Sequence, residues 1–302
     1  MDSERLLGGV AMPRLASAEA VATLGACLRL RQEGGVVDPE LVVRLDAVLD
    51  ALGVRDTVNA LDPHETAMLL GLVEGLLLQA ADFVLHPGRT SWDHSHPSIL
   101  LAQGQMSTLL AGVFQSLVLP SLGGDLATRL EAGATFLDVG VGVGALSIAL
   151  CRAWPTLRVV GVDPWEPALE LAREQIAAAG LQDRIELRAG VVESLQDAAM
   201  YDLAWVPTFF ISGAVLERAL ERVHAALRPD GCAIFGQWVR PEDPLMAAVA
   251  DLRTVRQGGA VHTPEETATL LASAGFSDVD VVVDPLLRAP VVYVTGRRRR
   301  SQ

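Results

Sequence analysis

The sequence predicts an α/β fold: a doubly wound, seven-stranded sheet, mostly parallel with an antiparallel C-terminal hairpin, preceded by an N-terminal all-helical cap. Three observations carry this. Residues 1–130 show helical periods and no convincing strand, and residues from 135 onward alternate strand with helix. Two β-branched runs then close the chain with no helix between them, so they must pair as a hairpin. The expected division is a cap and dimerisation region over 1–130 and a sheet domain over 131–302.

In the first region, "PELVVRLDAVLDALG" at 39–53 has apolar residues at helical spacing and a glycine C-cap at Gly53. The helix expected over 64–85 is apolar around most of its circumference. Residues 98–122 read as one or two helices after Pro97. Between these lies "HPGRTSWDHSHP" at 86–97, too rich in Pro, Gly and Ser for regular structure. From 135, strands are expected at "TFLDVG", "RVVGVD", "RIELRAG", "YDLAWV" and "CAIFGQW", with the hairpin from "VDVVVD" and "VVYVTG". Gly180 ends the helix after the second strand, and Thr263, Pro264 and Glu266 form a capping box before the hairpin.

A formal net charge of −13 argues against a nucleic-acid partner, which needs a basic surface. The basic run Arg297 to Arg300 reads as a solvated tail. Cys27, Cys151 and Cys232 are widely spaced and suggest buried, inert thiols. "MDSERLLGG" lacks the basic start of a signal peptide. The apolar stretch 68–85 is interrupted by Glu74 and Asp82, so a buried or interface helix is expected rather than a membrane span. These features predict a cytoplasmic chain.

"FLDVGVGVGALSIAL" at 136–150 carries the chemistry. Its glycines fit G-x-G-x-x-G/A, with Gly140, Gly142 and Ala145, a dinucleotide fingerprint. They also fit D-x-G-x-G-x-G, with Asp138, Gly140, Gly142 and Gly144, and in this form the string resembles the class I S-adenosylmethionine-dependent methyltransferases. Asp138 suits a cationic amino-acid ligand and would repel a pyrophosphate, with no lysine or arginine in the loop to offset it. The terminal hairpin also favours the methyltransferase resemblance over a dinucleotide fold. Asp163, 19 residues after Gly144, suits ribose hydroxyls in either.

The resemblance implies S-adenosylmethionine as cofactor. Gly140, Gly142 and Gly144 would line its methionine part and Asp138 would help hold its amino group. Asp163 would take the ribose hydroxyls, and Pro164 or Trp165 would lie against the adenine. Many relatives carry an acidic residue at the end of the third strand; "AGVVES" puts Val191 there, leaving the backbone of Val191 or Val192 to reach the ring.

Ligands of parallel sheets sit beyond the carboxyl ends of the strands, so Trp205, Pro207, Thr208, Phe209 and Phe210 are expected to border the transferred methyl. Nucleic-acid amino-methyltransferases resemble one another here in an (Asp/Asn/Ser)-Pro-Pro-aromatic motif, from which "VPTF" departs. A small organic acceptor is expected, with Gln237 and Trp238 joining the pocket and Trp92, Gln103 and Gln105 contributed from ahead of the sheet. His94 or His96, with Asp93, is the candidate general base. His224 and His262 read as structural. No metal site is expected, and the apolar helices 64–85 and 98–122 suggest a homodimer. Oxygen is the favoured acceptor atom. The alternatives are a methyltransferase-like protein that binds the cofactor for a non-methylating cyclisation or isomerisation, and a non-enzymatic assembly partner with a vestigial site.

Overall fold

Helix-capping chemistry sets the first half of the chain. The computed structural model describes residues 12–286 and 290–300, so the "MDSERLLGG" stretch lies outside the described residues. Helices α1 (Met12–Glu33), α2 (Pro39–Leu52), α3 (Arg55–Ala60) and α4 (Pro63–Leu85) come first. Asp38 caps α2 by accepting the Glu40 and Leu41 amides, and Gly53 ends it in the left-handed region. Asp62 and Glu65 form a capping box on α4. A small core of Cys27, Leu28, Leu49, Val58 and Leu70 joins these helices. Glu74, which interrupts the apolar run of α4, pairs with Arg29 of α1. The far end of α4 leaves Val84 and Leu85 more than 70% exposed. Pro63–Leu85 and Pro97–Leu122 are both long and apolar enough to cross a membrane by length and composition.

Contacts divide the chain into two compact units. One runs to Pro87 and includes Leu101–Gln105; the other comprises Gly88–Leu100 and Met106 onward. This boundary differs from the change of rhythm near residue 130, for a physical reason. Helix α5 (Pro97–Val113), the π turn Phe114–Val118, α6 (Leu119–Leu122) and α7 (Leu126–Ala132) are helical. Yet Val113, Phe114, Val118, Leu126 and Leu130 belong to the same core cluster as the sheet.

The second unit then alternates as expected: β1 (Thr135–Val139), α8 (Ala145–Ala153), β2 (Arg158–Asp163), α9 (Glu166–Ala178), β3 (Ile185–Ala189), β4 (Tyr201–Pro207), α10 (Gly213–Ala226), β5 (Leu227–Trp238), α11 (Pro244–Arg256), α12 (Pro264–Ser273), β6 (Ser277–Val283) and β7 (Val291–Arg297). The sheet order is β3-β2-β1-β4-β5-β7-β6. The first five strands pair in parallel; β7 runs antiparallel to both β5 and β6. Thr263 and Glu266 form the expected capping box on α12.

The basic run is a solvated tail only at Arg299 and Arg300, which stay exposed. Arg297 and Arg298 donate to the backbone carbonyls of Leu122, Asp230, Ala225 and Leu227, and Arg299 and Arg300 pair with Asp278 and Asp230. The Arg297 and Arg298 guanidiniums satisfy carbonyls in the last turns of α6 and α10 and at the start of β5. The three cysteines are buried free thiols, and burial pushes the Cys151 thiol up to about 11.

Candidate functional site

At the carboxyl end of β1 the backbone turns sharply, with Gly140, Gly142 and Gly144 all at left-handed φ values of 67°, 55° and 78°. Residues with a Cβ adopt this region at a cost of about 1–2 kcal/mol each, so the spacing of glycines is a conformational demand. A Cβ built on Gly142 would meet only Gly140's carbonyl, at 3.9 Å, and one on Gly190 would meet nothing within 4 Å. The turns after β1 and β3 thus leave free space for a ligand.

Asp163 locks this turn to its neighbour. Its Oδ2 accepts the Gly142 amide at 2.9 Å and its Oδ1 accepts the Trp165 amide at 2.8 Å. Each oxygen keeps a further lone pair for a ligand hydroxyl. Burial raises its pKa, and these two backbone hydrogen bonds oppose the rise. Asp138 is 1% exposed and accepts the Ser147 hydroxyl at 2.6 Å. Desolvation pushes its pKa up to about 7; the Ser147 bond lowers it and the Asp163 charge adds to the rise. Ser147, in the first turn of α8, has no role in the sequence analysis although it lies only three residues after Gly144. Val191 is exposed and Val192 buried, and Pro164 separates Asp163 from Trp165 at an exposed position.

Trp165 donates its indole N–H to the His94 carbonyl at 2.7 Å, which ties the 86–97 loop to the end of β2. That loop leads into an aromatic chain. His94 meets Trp92 at 4.7 Å between ring centroids, Trp92 meets Phe210 at 5.1 Å, Phe210 meets Phe209 at 4.9 Å, and Phe209 stacks on Trp238 at 4.5 Å. Four of the residues expected from sequence to line the acceptor pocket therefore form one continuous wall, joined by Pro207 beside Gly140 and by Thr208.

Trp205 does not join them. It is 3% exposed, sits between Phe114 and Tyr293, and fills the space a Cβ on Gly236 would need. The pleat turns its ring into the core, so it backs the site instead of lining it. Gln105 is also elsewhere: its carboxamide lies over Gly71 of α4, within the first unit. Gln103 is half-buried in the same stretch of α5.

The expected bases fare differently from the wall. The buried His94 has its Nδ1 2.8 Å from an Arg89 guanidinium nitrogen. Arginine can only donate, so Nδ1 accepts and the ring proton of the neutral imidazole resides on Nε2. That tautomer has no free lone pair for a substrate proton. Asp93 pairs with the same arginine at 3.1 Å. His96 is exposed at the start of α5 and makes no side-chain cap. His224 packs edge-on against Phe276, as a structural histidine should. His262 lines a recess, open to solvent, at the carboxyl end of β5.

This arrangement matches known proteins. Residues 136–231 match the family described as a methyltransferase domain. The mitomycin biosynthesis 6-O-methyltransferase of Streptomyces lavendulae is 33% identical over 154 residues, 50% of this chain and 44% of that one. The chain thus spans less than half of that relative's length. Among solved structures, the pyocyanin biosynthetic protein PhzM aligns with a TM-score of 0.67 and 19% identity over 98% of both chains. Human N-acetylserotonin methyltransferase, solved with S-adenosylmethionine, aligns with a TM-score of 0.62 and 18% identity over 99% of both. The fold and the glycine turn are those of S-adenosylmethionine-dependent methyltransferases, and residues 136–231 carry a methyltransferase domain. Its turn residues fit that cofactor: the left-handed glycines open the space, and Asp163 presents two oxygens beside it.

Proposed function

We propose that the chain transfers a methyl group from S-adenosylmethionine to a small organic acceptor, with oxygen the favoured acceptor atom. The Asp163–Gly142 bond carries this reading, because it holds the left-handed turn open where a ligand's methionine part would lie. The cofactor, when bound, supplies a sulfonium methyl open to in-line displacement. Gly140, Gly142 and Gly144 let it approach the backbone; Asp138 holds its amino group and Asp163 its ribose. Pro164, Trp165, Val191 and Val192 border its adenine. Trp92, Phe209, Phe210 and Trp238 exclude water from the acceptor. The relative from Streptomyces lavendulae, named for mitomycin biosynthesis, supports a role in secondary metabolism.

Calorimetric titration with S-adenosylmethionine, S-adenosylhomocysteine and NADH tests the cofactor. Micromolar binding of the sulfur ligands, lost in Asp138→Ala, is expected; NADH binding alone would sink the reading.

A non-methylating cyclisation or isomerisation is the second reading. The Arg89 contact to His94 Nδ1 favours it, since it occupies the lone pair that a base would use. Product mass separates the two, methylation adding one CH2 and isomerisation nothing.

The reading includes a cytoplasmic location, supported by the free thiols, and a homodimer, supported by the exposed apolar end of α4. Recovery in the membrane fraction would contradict the first, and a monomer in light scattering at micromolar concentration the second.

A further inference from the structure

The arginines near the aromatic wall are not equivalent. Arg89 pairs with Asp93 at 3.1 Å, and Arg240 pairs with Asp251 at 3.1 Å. Arg253, on α11, pairs with no carboxylate and donates to no carbonyl among the described residues. Its guanidinium lies 5.3 Å from the centroid of the Trp238 ring, whose other face is stacked on Phe209 at 4.5 Å. Gln257, one turn further along, accepts the Trp238 indole N–H at 2.8 Å and so holds the ring against the cation.

This leaves a charge without a counter-charge. Arg253 is half-buried, and burial pulls its pKa below the ordinary arginine value with no carboxylate opposing the shift. An aromatic face attracts a guanidinium but carries no net charge, so the cation stays uncompensated. In a chain of formal charge −13, carboxylates are plentiful, yet none stands beside this cation. The planar fork of N–H donors matches the two oxygens of a carboxylate, which would supply the missing charge and accept its hydrogen bonds. Next to it, Trp238 and Phe210 are only half-buried and offer ring surface to an apolar body.

We propose that Arg253 is a specificity-determining residue for an organic acid, pairing with its carboxylate while the acid's apolar body lies against Trp238 and Phe210. The inference rests on the methyltransferase reading only in calling this acid the methyl acceptor.

2-Naphthoate and 2-naphthamide, alike in shape and different in charge, test it when titrated separately into the full chain. Binding is read from the Trp238 indole N–H resonance, identified with Trp238→Phe. Saturable naphthoate binding is expected, with the amide at least about tenfold weaker. Arg253→Met keeps the apolar stem and removes the charge, and should abolish that preference; Arg253→Lys should keep part of it. Because the cation is uncompensated, Arg253→Met should melt no lower than the wild type. A lower melting temperature would show the charge to be compensated already and would overturn the proposal. Equal binding of acid and amide, no binding of either, or an undiminished preference in Arg253→Met would overturn it too. So would displacement of naphthoate by an equal concentration of sulfate, the mark of a bare anion contact. S-adenosylhomocysteine binding, measured alongside, keeps the questions apart. If it persists while the probes fail to discriminate, only this inference falls; if it is absent from the wild type, the methyltransferase reading falls instead.

Discussion

Asp163 and Gly142, 21 positions apart, are joined by a 2.9 Å hydrogen bond from the glycine amide to the carboxylate. One side chain thus sets the shape of two turns, because its other oxygen holds the Trp165 amide. Asp163→Ala should leave two backbone donors without their partner. A loss of about 1–3 kcal/mol in denaturant unfolding is expected, with S-adenosylhomocysteine affinity falling more than about tenfold. Unchanged affinity would mean that the turn holds itself.

Asp138 gives a pH signature. Its folded pKa, about 7, lies above its ordinary 3.8. The folded state therefore holds a proton that the unfolded state releases, and stability falls as pH rises between roughly 4 and 7. The slope approaches about 1.4 kcal/mol per pH unit in the middle of that window. Asp138→Asn should flatten this part of a melting-temperature profile; an unaltered slope would place its origin elsewhere.

The same carboxyl links binding to protons. If it faces a cationic amino group, S-adenosylmethionine should expel its proton, so the heat of binding near pH 6.5 should vary with the ionisation enthalpy of the buffer. Asp138→Asn should remove that dependence. Buffer-independent heats in the wild type would argue against the contact.

Trp165→Phe removes the 2.7 Å bond to the His94 carbonyl. The expected cost is about 1 kcal/mol, with faster tryptic cleavage after Arg89 as the readout. Equal cleavage rates would show that the loop is held by other contacts.

Much of the fold was legible because its signals are local. Glycines at Gly53, Gly142 and Gly180 and caps at Thr263 state backbone conformations that few other residues tolerate. The aromatic wall was readable from residue type at strand ends. Side-chain direction was not: every residue of β4 is buried, so no polar alternation told Trp205 from its neighbours. The engagement of His94 by Arg89 depends on a loop that carries no periodic signal. Helix α11 escaped too, although Asp243 caps it by accepting the Met246 amide and Pro244 opens it. With it went Thr254, which lines the same recess as His262.

The position of β7 bears on how the molecule comes into being. Cys232–Trp238 lies beside Val291–Arg297, with β6 on the far side, so neighbouring strands are not made in the order in which they pair. During synthesis one edge of β5 must wait, unpaired, until more than fifty further residues have left the ribosome. Such an edge is an invitation to pair with a foreign strand. Nascent chains halted before residue 291 should consequently be the aggregation-prone species, and a chaperone's work on this protein falls in that interval.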